Sequence, residues 1–148
     1  MIWHILAVSD NHKHFQTAID EYLKRSEKNI DLHLLKPSRK DDPISVRREE
    51  TMALIKILEK KPKPIILLSI DWKQLISEDI ATYLETNQQQ ATFLIGWPYG
   101  VDESLLLPYL DEKISFGKQT MPHGLALLVL LEQLRRTQCI LQGKKYHY

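Results

Sequence analysis

The chain has 148 residues, 43% of them hydrophobic and 26% charged, a balance that suits a soluble globular protein with one genuine core. With 20 basic against 19 acidic residues, no whole-molecule field draws it to nucleic acid, so any RNA contact must come from local basic patches or from shape. The single cysteine, Cys139, excludes an intramolecular disulfide and a cysteine-rich zinc site. The short apolar N-terminal run is neither a membrane span nor a signal peptide, so a cytoplasmic protein without metal or membrane attachment is expected.

Residues 2–8 read as a strand. A helix is expected over about residues 12–27, with Phe15, Ala18, Ile19, Tyr22 and Leu23 on one face. Residues 30–35 form a second strand, followed by a charged loop at 36–43. Ser45 is the expected N-cap of a helix running to residue 60. Pro62 and Pro64 precede residues 65–70, an apolar run whose β-branched content fits a central strand buried on both faces. Ser77, with Glu78 and Asp79, opens a helix to about residue 86. A strand at 91–95 ends in a glycine-flanked turn. A short helix follows Asp102, then a strand near 113–116, a loop through Pro122, and a long helix over 124–141. This alternation predicts a single α/β domain over residues 1–148, with a mostly parallel sheet covered by helices.

All five glycines (Gly96, Gly100, Gly117, Gly124 and Gly143) lie after residue 95. Glycine permits tight turns and close approach of backbone to ligand, and ligands of open α/β sheets sit at the carboxyl ends of strands. The turn after the first strand, Ser9-Asp10-Asn11-His12, has no glycine, so neither a Rossmann site nor a P-loop is present. In the last helix, residues 125–131 are apolar all round. Burial on more than one side is implied, and in so small a chain the second buried face suggests a subunit interface, with a central core helix as the alternative.

Leu94-Ile95-Gly96-Trp97-Pro98-Tyr99-Gly100 resembles the IGGPxG loop of the ribosomal RNA large-subunit methyltransferase H family. Phe116-Gly117-Lys118-Gln119-Thr120-Met121-Pro122-His123 is similar to that family's LSxxTxPH segment. Leu131-Glu132-Gln133-Leu134-Arg135-Arg136-Thr137 is similar to its LEQxYRA helix, and Gly143-Lys144-Lys145-Tyr146-His147-Tyr148 to its GExYHx tail. Residues 67–73 are similar to its TLDxxGK stretch. Order, spacing and length agree across the whole chain, and the specific motifs lie after residue 90.

The resemblance implies a SPOUT-type α/β knot, in which the C-terminal helix passes through a loop to form a deep trefoil knot. It also implies a homodimer that uses S-adenosyl-L-methionine to methylate N3 of a pseudouridine in large-subunit (23S) ribosomal RNA. Methyl transfer is an in-line displacement, so the protein supplies mainly positioning and desolvation. The resemblance places the adenosine against Leu68, Gly96, Phe116, Gly117, Lys118, Gln119, Thr120 and Met121. The acceptor nitrogen must lose a proton, for which His147 and His123 are the candidate bases. Tyr146 and Arg136 are their orienting or anion-stabilising partners. Lys144 and Lys145 flank this tail and are the expected RNA contacts, ribosomal RNA or the assembled ribosome being the partner. Cys139 is expected to pack in the core.

Two departures stand out. Trp97 replaces the second glycine of the IGG turn, and Trp72 replaces the glycine before the TLDxxGK lysine. Each adds roughly 200 Å² of side chain where close approach is expected. An alternative reading is therefore a catalytically silent RNA- or ribosome-binding homodimer on the same fold. A third is methylation at another RNA position.

Overall fold

The computed structural model describes residues 2–8, 12–69, 73–87, 89–96 and 100–146. Strands β1 (Trp3–Val8), β2 (Ile30–Leu35), β3 (Ile65–Leu68), β4 (Ala91–Ile95) and β5 (Glu112–Ile114) alternate with helices. These are α1 (Gln16–Arg25), α2 (Pro43–Leu58), α3 (Ser77–Thr86), α4 (Glu103–Leu106) and α5 (His123–Leu141), with a 3-10 turn at Leu107–Tyr109. The strands form one sheet in the order β2-β1-β4-β3-β5, every pairing parallel. All strand carboxyl ends therefore open onto one edge, as the α/β reading expects.

Side-chain alternation divides the core into two layers. Trp3, Ile5 and Ala7 of β1, Ile66 of β3 and Phe93 of β4 pack against α1, α3 and α5. Leu6, Val8, Ile65, Leu67 and Leu94 face the other way, onto Leu54, Ile55 and Leu58 of α2 and Leu106 of α4. The central strand β4 is buried along its whole length, which is why it reads as an unbroken apolar run rather than an alternating one.

Several boundaries differ from the sequence reading. The N-cap of α2 is Asp42, not Ser45: its Oδ1 accepts the Ser45 backbone N–H at 2.9 Å, and Pro43 occupies the first turn. Proline lacks the N–H that would be orphaned there, so the Asp-Pro pair starts the helix earlier than the serine would. Helix α1 starts at Gln16, because residues 13–15 form a turn that presents Phe15 to α5. It ends at Arg25, where Glu27 and Lys28 adopt positive φ. Strand β5 stops at Ile114, Ser115 continuing only as an isolated bridge to Gln74.

Helix α5 buries Gly124, Leu127, Leu131, Leu134 and Gln138 on its core stripe, while Leu125, Leu128 and Val129 stay only partly covered in the single chain. The head of this helix sits tightly on α1. A Cβ placed on Gly124 would lie 2.5 Å from Phe15 Cδ2 and 3.2 Å from His12 Nδ1. His12 itself is buried. Glycine is thus required here for helix approach rather than for a turn. Replacing Gly124 with valine should cost about 1–3 kcal/mol by overpacking. Urea denaturation checks this, and a variant as stable as the parent would show that Phe15 moves aside freely.

Candidate active site

At the carboxyl edge of the sheet a cavity of about 400 Å³ opens beside the ends of β3, β4 and β5. That size lies within the roughly 300–1,000 Å³ usual for small-molecule clefts. Its wall is drawn from four stretches. Leu67, Leu68 and Ser69 come from the end of β3; Ile95, Gly96, Gly100, Val101 and Glu103 from the end of β4 to the start of α4. The segment after β5 adds Phe116, Gly117, Gln119, Thr120 and Met121, and the head of α5 adds His123 and Ala126. The lining is largely apolar, with backbone exposed at the glycines. A Cβ on Gly96 would meet no protein atom within 4 Å. Gly100 and Gly117 adopt φ of 74° and 138°, conformations that favour glycine.

Seven of the eight residues expected at a methyl donor line this cavity: Leu68, Gly96, Phe116, Gly117, Gln119, Thr120 and Met121. Lys118 is exposed and outside the wall. Leu67, Ser69, Ile95, Val101, Glu103 and Ala126 were not singled out from sequence. They flank the residues that were: Leu67 and Ile95 lie in strands, the others in loops or at helix starts, with nothing distinctive in their identity. Trp72, Trp97 and His147 lie outside the described residues.

His123 is the only one of the three described acid-base candidates on the cavity wall. Its Nδ1 lies 2.6 Å from the carbonyl oxygen of Gly96. A carbonyl can only accept, so Nδ1 carries the proton and donates it; in the neutral ring Nε2 is left as the basic nitrogen. One bond thereby ties the head of α5 to the turn after β4 and fixes the tautomer.

Arg136 and Tyr146 sit elsewhere. Arg136 donates from Nε and Nη2 to Glu132 Oε1, at 3.1 and 2.6 Å, one helical turn back. Its guanidinium lies 4.4 Å from the centroid of the Tyr146 ring. It lines a separate groove with Gln74, Leu75, Ser77, Val129 and Gln133, in which Ser77 donates to Gln133 Oε1 at 2.6 Å. Thirteen residues of helix place Arg136 about 20 Å along the axis from His123. Burial, then the Glu132 carboxylate, raises the Tyr146 phenol above its ordinary value. It is therefore a proton donor at neutral pH, not a base. Gly143, at φ 65°, turns the chain so that Lys144 N–H reaches the Cys139 carbonyl at 2.8 Å. Lys144 and Lys145 are exposed, and Cys139 is buried.

A model described as "Predicted SPOUT methyltransferase" matches residues 1–147. The chain belongs to the SPOUT methyltransferase family. It is 34% identical over 145 residues to a protein of Mycoplasmopsis pulmonis named Ribosomal RNA large subunit methyltransferase H, covering 97% of each chain. A protein of the same name from Mycoplasmopsis synoviae is 37% identical over 153 residues, covering 99% of each. One from Bacteroides thetaiotaomicron is 30% identical over 145 residues, covering 92% of this chain and 91% of its own length. Among solved structures, a probable methylase family protein from Haemophilus influenzae Rd KW20 superposes with a TM-score of 0.59 at 12% identity. That match covers 95% of this chain and 66% of the other, and is a likeness of fold alone. The chain is an enzyme of the methyltransferase class and requires a methyl donor.

On α2, the buried carboxyl of Glu50 is pushed above its ordinary value by burial. An acid whose pKa is higher folded than unfolded binds more protons in the native state, so stability falls as pH rises from the unfolded value through the folded one. Replacing Glu50 with glutamine should remove that decline. Urea midpoints measured from about pH 4 to about pH 8 test this; parallel curves for parent and variant would contradict it.

Proposed function

We propose that this chain transfers a methyl group from S-adenosyl-L-methionine to N3 of a pseudouridine in large-subunit ribosomal RNA, acting as a knotted homodimer. The observation that carries the reading is the glycine-walled cavity with His123 at its rim, in a chain related over nearly its full length to proteins named as ribosomal RNA methyltransferases. The same relationship favours an active enzyme over a silent RNA-binding dimer.

The cavity fits the donor. Apolar faces from Leu68, Ile95, Phe116 and Met121 suit a purine ring, and open backbone at Gly96 admits close approach. When bound, S-adenosylmethionine supplies an electrophilic methyl on a sulfonium. This chain's residues must then exclude water, orient the acceptor and remove its proton. His123 Nε2 is placed at the wall to accept that proton while Nδ1 stays committed to Gly96. Arg136 and Tyr146 offer a cation and a phenol donor suited to holding the resulting anion. Lying about 20 Å along α5 from His123, they would serve the cavity of a second copy, together with the tail residue His147. The half-covered apolar face at Leu125, Leu128 and Val129 supports such pairing. Lys144 and Lys145 would then flank the acceptor RNA.

No helix among the described residues is long and apolar enough to cross a membrane, and no group of three or more metal-binding side chains occurs among them.

Two experiments test this. Incubating ribosomes or ribosomal RNA with the protein and labelled donor should yield one methylpseudouridine by mass spectrometry, and an unchanged modification map would sink the assignment. Because a Gly96 side chain would enter open space, Gly96→Val should weaken donor binding in calorimetry at least about tenfold, or roughly 1.4 kcal/mol. Stability should change by less than about 0.5 kcal/mol. Unchanged affinity would place the donor elsewhere.

A further inference from the structure

Ser77, the first residue of α3, is half-buried in the groove where the head of that helix meets α5. Its Oγ lies 2.6 Å from Gln133 Oε1, and Gln133 Nε2 lies 2.6 Å from Glu132 Oε2. A carboxylate can only accept. The Gln133 amide must therefore turn its NH2 group to Glu132 and leave its oxygen to Ser77, whose hydroxyl donates. The other carboxylate oxygen, Glu132 Oε1, receives Arg136 Nε and Nη2 at 3.1 and 2.6 Å. Hydrogen bonds thus run unbroken from the start of α3 to the guanidinium, whose carbon lies 4.4 Å from the centroid of the Tyr146 ring. An exposed (i, i+4) ion pair by itself holds neither side chain firmly. Here the Arg136 and Glu132 side chains are only 17% and 22% exposed, and the carboxylate is gripped from its far side as well.

The near end of this chain of bonds is fixed in turn. Gln74 forms a bridge with Ser115, whose N–H donates to the Lys73 carbonyl at 3.0 Å. Ile76 N–H donates to Asp79 Oδ2 at 3.2 Å across the first turn of α3. Ile76 is the N-cap, so the Ser77 hydroxyl is turned to α5 instead of capping its own helix. The stretch that presents Ser77 is thereby bound to the segment that follows β5, and the serine is a fixed point from which the relay can act.

We propose that Ser77 and Gln133 are positioning residues for Arg136, a relay that holds Glu132 and, through it, aims the guanidinium at the anion of the methyl acceptor. The inference rests on the reading of Arg136 as the group that holds that anion. An acceptor nitrogen that has given up its proton bears its charge only until the methyl arrives, and a cation stabilises it best when already aimed. A free arginine side chain would have to give up its rotamer freedom at each turnover. The relay meets that cost once, on folding, and leaves the guanidinium plane set before the acceptor enters.

Isotope-edited NMR of the Arg136 Nε–H decides the relay without reference to activity. Assigned by its loss in Arg136→Lys, this resonance should be displaced in Ser77→Ala, with exchange against water several-fold faster, and should return toward the parent position in Ser77→Thr. An unmoved resonance overturns the proposal. With ribosomes as substrate, Ser77→Ala should leave donor affinity unchanged and lower kcat several-fold, and Ser77→Thr should recover most of the loss. An unchanged kcat in Ser77→Ala overturns the proposal even if the resonance moves. In an Arg136→Lys background the same alanine change should cost little more. A full additive loss there also overturns it, because Ser77 would then act by a route that bypasses Arg136. A parent protein that methylates no ribosomal RNA overturns the functional reading instead, while a displaced Arg136 resonance would still establish the relay.

Discussion

The bond from His123 to the Gly96 carbonyl is the constraint on which the rest of the site depends. It joins the first residue of the longest helix to the turn after the most deeply buried strand, so neither can shift without the other. Gly124, next in sequence, lets the same helix head close onto Phe15 and His12. The cavity exists because these two contacts hold α5 at a fixed height above the carboxyl edge of the sheet. The same anchoring sets a basic nitrogen on the wall of the cavity that Leu68 and Phe116 also line. A parallel sheet supplies the edge; the histidine and the glycine turn it into a site.

Helix α5 then divides the chemistry. Its head belongs to the cavity, its middle carries a half-covered apolar face, and its far end presents Arg136 stacked on Tyr146. Rigid helix geometry forbids the two ends from meeting within one chain. The hold of one Glu132 oxygen on two Arg136 donors has a corresponding logic. It fixes the guanidinium plane and leaves its face to the Tyr146 ring.

Much of this was legible in the sequence because the signals were local. The apolar run at 65–70 read as a central strand and 91–95 as another strand, and glycines confined to the last third marked where backbone would line a ligand. The misplaced boundaries had equally local causes. Asp42-Pro43 outcompetes Ser45 as a helix start because proline removes an orphan donor and aspartate is the stronger cap. The turn before Gln16 is held by packing against α5, which periodicity does not encode. The sequence motifs grouped His123 with Arg136 and Tyr146 as one constellation, since motif order carries no distance; the fold separates them along a helix.

Glu50 shows what a closer reading of pattern would have caught. Val46, Glu50, Leu54 and Leu58 recur every four residues, so the carboxyl sits in the middle of the apolar stripe that faces the sheet. Charged residues on helices are so often solvated that an acidic pair, Glu49-Glu50, reads as surface, and one of the two is. The other is carried inward by the helical period. Its cost is offset in part by the Ser38 amide, and Thr51 beside it takes the Asp102 amide. Two loops from separate strands are thus pinned by consecutive residues of one helix. That arrangement ties α2 to the loop after β2 and to the start of α4, although none of its residues lines the cavity.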